Sequence, residues 1–453
     1  MKIKLPLAVL SIALFNFTLS AQNWDSVGSG MNTSFGNLVV YNGELYAGGD
    51  FTIAGGVAVN DIAKWNGTSW SAVGKGVTGG SYFGISAMVV YNGNLYVAGN
   101  FTTAGGNPAS NIAMWNGTTW SALGTGIKLS PYSSVDALTV YNGKLVVAGY
   151  FDTAGGVPAN GIATWDGTSW SAFGSGPGMY GEIISMYAYD SVLYVAGAFD
   201  SIDGNPSPSI AQWDGVSWSS LGSGITYREG TGDVYTLCVY NKKLYVGGAF
   251  DTAGGLAQND FACWNGSAWD SNGINSLNLN GEIPYCSLVS NGIFYMGGWM
   301  PFNTAGLKVN SIISWNGTIW DSLGSGLTVD TGVYALCMYN NQLYAAGDFY
   351  FSGKTPVNYI ARWNNITGIN SLAEPVNSVS IYPNPSNGVF TIEQSAEKQS
   401  GVIEVYNMLG EKIYQHSFSA PRFTLNITGQ PAGMYFVQLI TDKGAQTAKF
   451  IKQ

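Results

Sequence analysis

The sequence predicts an all-β chain: a seven-bladed β-propeller whose N-terminal strand closes blade seven, followed by a small Ig-like β-sandwich. Three observations predict it. The 453 residues include 62 Gly, 27 Tyr, 20 Phe and 15 Trp but only 10% charged side chains, the chemistry of turns and pleated faces rather than of long helices. Tryptophan recurs on a regular grid through most of the chain. Near Ser371 that grid stops and a different pattern of short strands begins.

Length alone would suggest about three domains of roughly 150 residues. The net charge of −9 argues against DNA or RNA as a partner, because there is no Lys/Arg surplus to displace phosphate counterions. A single histidine, His416, speaks against zinc-deaminase, hydrolase-triad and His-rich metal chemistry. The acidic excess is uneven: residues 1–370 hold 12 basic and 21 acidic side chains, and residues 371–453 hold six of each.

Residues 1–21 carry Lys2 and Lys4, the apolar run Leu5–Phe15 and the small-residue segment Thr18–Ala21. That order is expected of a secretory signal peptide. No later stretch approaches 18 uninterrupted apolar residues, so a transmembrane segment is not expected.

The repeat follows. An Ile-Ala-x-Trp-Asn/Asp-Gly motif places tryptophan at 65, 115, 165, 213, 264, 315 and 363, at intervals of 48 to 51 residues. A Trp-x-x-Leu/Val-Gly-x-Gly motif adds 24, 70, 120, 170, 218, 269 and 320, leaving only Trp299 off the grid. Within the second unit, strands are expected at Ile85–Tyr91, Leu95–Phe101, Asn111–Trp115 and Thr119–Leu123, joined by Asn92-Gly93 and Asn116-Gly117. Both turns read as tight hairpins in which Asn and Gly each accept positive φ. Four antiparallel strands at a period near 50 describe a propeller blade.

The first hairpin turn occurs seven times, at Asn42, Asn92, Asn142, Asp190, Asn241, Asn291 and Asn340. The seventh unit lacks the outer-strand motif after Trp363, while Trp24–Gly30 carries that motif with no unit before it. The N-terminal strand should therefore complete blade seven, removing the free edges a linear array would expose. The propeller is assigned to residues 22–370, with a linker at 371–376 and the C-terminal domain at 377–453.

Grid aromatics read as inter-blade packing, and Cys238 and Cys337 as small buried hydrophobes. Cys263 takes a slot held elsewhere by Lys64, Met114, Thr164, Gln212, Ser314 and Arg362, expected to be half-exposed, and a Cys263–Cys286 disulfide across neighbouring blades is one option. The Gly-Gly pairs at 55, 105, 155 and 254 lack the Lys-Ser/Thr of a phosphate cradle and read as turn glycines. Asn66-Gly67-Thr68 matches a glycosylation sequon, but the hairpin demands that sequence anyway.

Function is expected on the face carrying the blade connections, where loops vary on a rigid frame. These connections bring Phe35, Tyr82, Phe83, Tyr132, Tyr180 and Tyr227, with Asp136, Glu182, Arg228, Glu229 and Asp233 nearby. Such an aromatic and acidic rim would suit a carbohydrate or a surface protein; ordinary loop packing is the alternative for each residue. A non-catalytic binding or adhesion module is the first reading. The second is a polysaccharide hydrolase or lyase using acids at the mouth, whose carboxylate separation is the diagnostic quantity. No catalytic residue, metal ligand or cofactor is assigned, although scattered loop Asp residues would suit a bound calcium.

Beyond Ser371, strands are expected at Val379–Tyr382, Val389–Glu393, Gly401–Asn407, Lys412–Ser417, Phe423–Ile427 and in the Pro431–Leu439 segment. The motif residues Tyr382, Pro383, Asn384, Pro385, Asn387 and Gly388, the Val405–Gly410 segment, and Gly433-Met434-Tyr435 before Lys449–Lys452 resemble the type A C-terminal sorting domain of the Bacteroidetes type IX secretion system. The resemblance implies export by that machinery, with release or surface attachment. The repeats more loosely resemble kelch and galactose-oxidase-type propellers and the Rax2 family, which implies a fold only. The kelch arginine and the oxidase's metal ligands are missing from the pattern.

Overall fold

A computed structural model describes residues 23–80, 84–128, 133–178, 181–228, 230–270, 279, 281–300, 303–304, 307–308, 310–364, 379–394, 400–407, 412–420, 422–441 and 444–453. The expected signal peptide and linker lie outside these residues. The chain divides into two compact units, Met1–Ile366 and Thr367–Gln453.

The first unit is built of small antiparallel sheets in a propeller-like arrangement. Sheet one orders its strands Asn37–Tyr41, Glu44–Gly48, Ile62–Trp65 and Trp70–Ala72 from inner to outer. Sheet two repeats this with Ile85–Tyr91, Asn94–Gly99, Ile112–Trp115 and Trp120–Ala122. Five further sheets follow, with inner strands Ser134–Tyr141, Glu182–Tyr189, Asp233–Tyr240, Ile283–Ser290 and Thr328–Tyr339. In sheet five a bridge between Trp264 and Trp269 takes the place of the outer strand. The outer strand of sheet seven is Asn23–Ser26, pairing with Ile360–Asn364 in the register Trp24 to Trp363. Each inner strand touches that of the next sheet, and the seventh touches the first.

The grid residues pack and also form directional bonds. Trp70 Nε1 donates to the Val27 carbonyl, Trp120 to Val73, Trp170 to Leu123 and Trp269 to Leu221, each reaching back to the preceding outer strand. On the inner strands, Tyr41, Tyr91, Tyr141 and Tyr240 hydroxyls donate forward to the hairpin turn of the next sheet. Sheet four departs from this: Phe173 replaces the aliphatic residue and meets the Trp213 and Trp218 rings edge-on at 5.2 and 5.5 Å.

The two Asn-Gly turns differ. Asn92 and Gly93 take φ of 47° and 72°, the expected two-residue hairpin. At the second turn the paired residues are Trp115 and Trp120, so four residues intervene, and only Gly117 has positive φ. Asn116 Oδ1 instead accepts from the backbone of Thr118 and Thr119 and from the Thr118 hydroxyl. The sequon-like Asn-Gly-Thr is a side-chain-capped turn.

Cys263 is fully buried, contrary to the half-exposed slot expected. Tyr245 hydrogen-bonds it, the Lys243–Asp270 ion pair lies beside it, and burial pushes its thiol up to about 11. All four cysteines are free thiols, so the Cys263–Cys286 disulfide does not form.

The second unit has a three-stranded sheet (Val379–Tyr382, Val389–Gln394, Arg422–Asn426) and a four-stranded one (Lys412–Phe418, Gly401–Tyr406, Gly433–Thr441, Gly444–Lys452). Phe390, Ile392 and Leu425 from the first meet Ile403, Val405, Tyr435, Val437 and Phe450 from the second in one core. The last strand was not among those expected. His416 is exposed and stacks on Phe423 at 5.2 Å. Among the described residues no helix is long and apolar enough to cross a membrane.

Candidate functional site at the starts of the inner strands

The inner strands begin with a shared irregularity. In sheets two to seven the ladder between inner and second strands slips by one residue, leaving Ser86, Asp136, Ile184, Tyr235, Tyr285 and Tyr334 unpaired. Such a bulge re-aims the extra side chain and raises local twist. All six are half-buried, while the residues before them, from Ile85 to Val333, are buried between sheets. Gly36 holds the corresponding place in sheet one.

The bulge explains a recurring glycine on the second strand. A Cβ on Gly99 would stand 2.1 Å from the Gly84 carbonyl oxygen, and one on Gly149, Gly197, Gly248, Gly298 or Gly347 would meet the equivalent oxygen at 2.1 to 2.5 Å. Only glycine lets the bulged backbone approach so closely.

A cavity of about 490 Å³ opens among these strand starts. It is lined by Gly36, Ser86, Asp136 and Tyr334 from the bulge positions, by Asp50 and Asn100 one residue past the glycine, and by Phe35, Asn37 and Ser134 beside them. From Tyr334 the aromatic surface continues through Tyr285 to Tyr235, edge to face at 5.5 and 5.3 Å. One arc of the mouth is thus tyrosine and the opposite arc is carboxylate, amide and hydroxyl. Trp299, the tryptophan off the grid, stands half-buried at the register place that Asp50 and Asn100 occupy in their sheets.

Asp136 accepts from the Ser134 hydroxyl at 2.9 Å and from the Tyr150 backbone, and hydrogen-bonds Glu182 of the next sheet. Burial first, and the Glu182 charge second, hold its carboxyl well above the ordinary carboxylate range. Asp233 accepts from the Tyr235 hydroxyl at 3.4 Å. Among the described residues no group of three or more His, Cys, Asp or Glu is placed to hold a metal.

The rim residues named from sequence separate here. Phe35 lies under the cavity against Phe51, and Asp136 lines it with Glu182 bonded behind. Tyr227 and Arg228 sit on a connection hairpin, Ile225–Tyr227 with Gly230–Thr231, where the guanidinium covers the Tyr227 ring at 5.0 Å, and they do not line the cavity. Tyr82, Phe83, Tyr132, Tyr180 and Glu229 lie outside the described residues, as does Gly410. Tyr235, Tyr285, Tyr334, Asp50 and Asn100 were missed, because they belong to strand ends rather than connections. Their signal was the glycine opposite, in every Gly-x-Phe or Gly-x-Met.

In the second unit, Asn384 Oδ1 accepts from the Ile451 backbone at 2.8 Å and its Nδ2 donates to Lys449 at 3.4 Å. The Ser386 N–H donates to the Ile451 carbonyl at 3.1 Å and its carbonyl accepts from the Gln453 N–H at 2.9 Å, so that Ser386 pairs in parallel with Lys452. The Tyr382–Gly388 loop, with cis bonds before Pro383 and Pro385, is therefore stitched to the last strand. Tyr435 is buried, stacks on Phe450 and donates to the Pro431 carbonyl at 2.7 Å.

Residues 380–453 match the family "Secretion system C-terminal sorting domain", and residues 142–163 match a β-propeller domain family of unknown function. No curated protein matches the chain. Among solved structures, PorZ, a surface component of the type IX secretion system of Porphyromonas gingivalis, aligns at 14% identity and a TM-score of 0.45, covering 93% of this chain and 59% of that one. The extracellular domain of a B. thetaiotaomicron protein aligns at 10% identity and 0.49, covering 94% and 52%. A copper-bound fungal alcohol oxidase of the AA5 family aligns at 12% and 0.40, covering 96% and 100%. The chain spans little more than half the length of the first two. Its C-terminal unit is a secretion sorting domain, and the protein is secreted or carried on the outer cell surface.

Proposed function

We propose that this is a surface binding module: a closed seven-bladed propeller over residues 22–370 that holds a carbohydrate at its mouth. An Ig-like sandwich over residues 377–453 would take it through the type IX machinery after loss of residues 1–21. The pairing of Trp24 with Trp363 and the continuous contact of inner strands support closure.

The mouth itself carries the functional reading. Its cavity of about 490 Å³ offers tyrosine on one side and Asp50, Asn100, Asn37 and Asp136 on the other. Sugars present an apolar ring face and a hydroxyl rim, which such a divided wall matches. Glycosidic cleavage is the poorer fit. Its two carboxyls stand about 5 Å apart or more, around the bond to be broken, whereas Asp136 and Glu182 are hydrogen-bonded to each other.

The test is titration calorimetry of the secreted chain against a panel of oligosaccharides, with recovery of the sugar afterwards. Saturable binding is expected, weakened about tenfold or more in Tyr285→Ala and Tyr334→Ala, with the sugar recovered intact. Failure to bind any sugar, or release of shorter products, would overturn the reading.

A further inference from the structure

The mouth has a sign as well as a shape. Of the residues lining the cavity, Asp50 and Asp136 are acidic and none is basic. Glu182 touches Asp136 from the next sheet, and Asp233 follows at the same strand position one sheet on. None of the ion pairs among the described residues involves any of these four acids. Asp136 is instead held by neutral donors, Ser134 and the Tyr150 backbone, and by the Glu182 carboxyl. Independently of the acids, the cavity is lined by Tyr334, from which the tyrosine arc runs on through Tyr285 and Tyr235, and such ring faces attract cations as well as sugar faces.

We infer that the saccharide taken at this mouth carries a free amine, so that an ammonium group sits between the Asp50/Asp136 side and the tyrosine arc. This rests on the carbohydrate reading above and narrows it. A uronic-acid polymer would bring a carboxylate against Asp50 and against the one negative charge that the hydrogen-bonded Asp136–Glu182 pair retains, a repulsion the partly desolvated site would strengthen. An N-acetylated sugar would fit the cavity but leave those acids without counter-charge. An amino sugar supplies that charge, and its ring still stacks.

The experiment compares three oligomers of equal length on the secreted chain at one mildly acidic pH where the amine is charged: glucosamine, N-acetylglucosamine and galacturonate. The glucosamine oligomer is expected to bind at least tenfold tighter than its acetylated counterpart, and the uronate not measurably. The preference should fall with added salt. Asp136→Asn combined with Glu182→Gln, which removes the charge the pair shares, should bring the glucosamine-to-acetylglucosamine ratio below about twofold. Asp50→Asn, at an exposed position, should lower it as well and serves if the first variant folds poorly. Equal or tighter binding of the acetylated or uronate oligomer, or a ratio unmoved by both variants, would sink the amine assignment while leaving the sugar site standing. If no saccharide binds, the carbohydrate reading fails and this inference with it.

Discussion

Trp24 Nε1 donates to the carbonyl oxygen of Leu323 at 3.1 Å, across 299 residues of chain. The bond is one member of a series, since Trp70 makes the same reach to Val27, just after the first strand. The first strand thus receives a tryptophan from sheet one and gives one to sheet six, and it is held by packing against Trp363 at 5.3 Å as well as by its ladder.

Removing that tryptophan should loosen the join. Trp24 is fully buried, so Trp24→Ala is expected to cost about 3–5 kcal/mol, as large-to-small core changes do. Trp24→Phe keeps most of the packing and loses the bond, for about 1 kcal/mol plus the orphaned Leu323 carbonyl. Denaturant unfolding followed by tryptophan fluorescence measures both. A variant lacking residues before Phe35 should also aggregate, because the third strand of sheet seven then ends the sheet as a bare edge. An alanine variant as stable as the parent would mean the first strand contributes little to the stability of sheet seven.

Two glycines of the same sheet separate steric from conformational demand. Gly93 lies in the turn with φ of +72° and nothing within 4 Å of its Cβ direction. Gly93→Ala should therefore cost about 1 kcal/mol, the left-handed penalty alone. Gly99 faces the bulge, where a Cβ would stand 2.1 Å from the Gly84 oxygen. Gly99→Ala must push the inner strand away and should cost about 3 kcal/mol, at the upper end for forced overpacking. The order of the two melting temperatures decides it.

That contrast marks what the sequence made legible. The four-stranded repeat and the pairing of the first strand with the last sheet could be read because tryptophan is rare and its spacing survives every substitution between. The four-residue second turn was countable too, from Trp65 and Trp70 being five apart. The mouth was not. Gly36, Ser86, Asp136, Ile184, Tyr235, Tyr285 and Tyr334 share a backbone place but no side-chain chemistry, so no repeat motif announces them. A bulge also inverts the in-out alternation from which burial is read. Cys263 was misjudged for a related reason: its neighbours in register, Lys64 and Arg362, snorkel to Glu44 and Asp25, while Tyr245 covers Cys263 locally.

Stability should rise as the solution is acidified from pH 8 toward pH 5. Asp61 is pushed up to about 7, by burial first and by the Asp50 charge second, and burial raises Asp260 as well as Asp136. For groups raised in this way the folded chain binds more protons than the unfolded one. Their contribution is complete below an ordinary carboxylate value near 4 and is lost as pH rises through about 7. The turn carboxylates Asp166 and Asp214, lowered by bonds from the backbone, act the other way, but only below pH about 4. Calorimetric melts across pH 4.5–8 should show this slope, and Asp61→Asn should flatten part of it by gaining stability mainly at pH 8. A melting temperature that climbs with pH over that range would contradict the assignment.

The sorting domain yields a prediction that keeps folding apart from export. Asn384 is exposed, yet both ends of its side chain engage the last strand, at Ile451 and Lys449. Asn387, three residues on and also exposed, makes no side-chain hydrogen bond to another of the described residues. Asn384→Ala should therefore free the Tyr382–Gly388 loop from the strand and cost the C-terminal unit about 1–2 kcal/mol for two lost bonds. Asn387→Ala should change stability by no more than about 0.5 kcal/mol, as surface substitutions do. Truncation after Ala448 removes the whole seam, including the backbone bonds of Ser386 with Ile451 and Gln453 and the buried Phe450 side chain of the core. Secretion is then read as the fraction of chain outside the cell. Truncation should abolish it, and Asn384→Ala should reduce it only as far as its loss of stability dictates. If Asn387→Ala blocks export while the domain melts normally, the secretion machinery reads the loop's surface directly, and the seam's contribution to export is secondary.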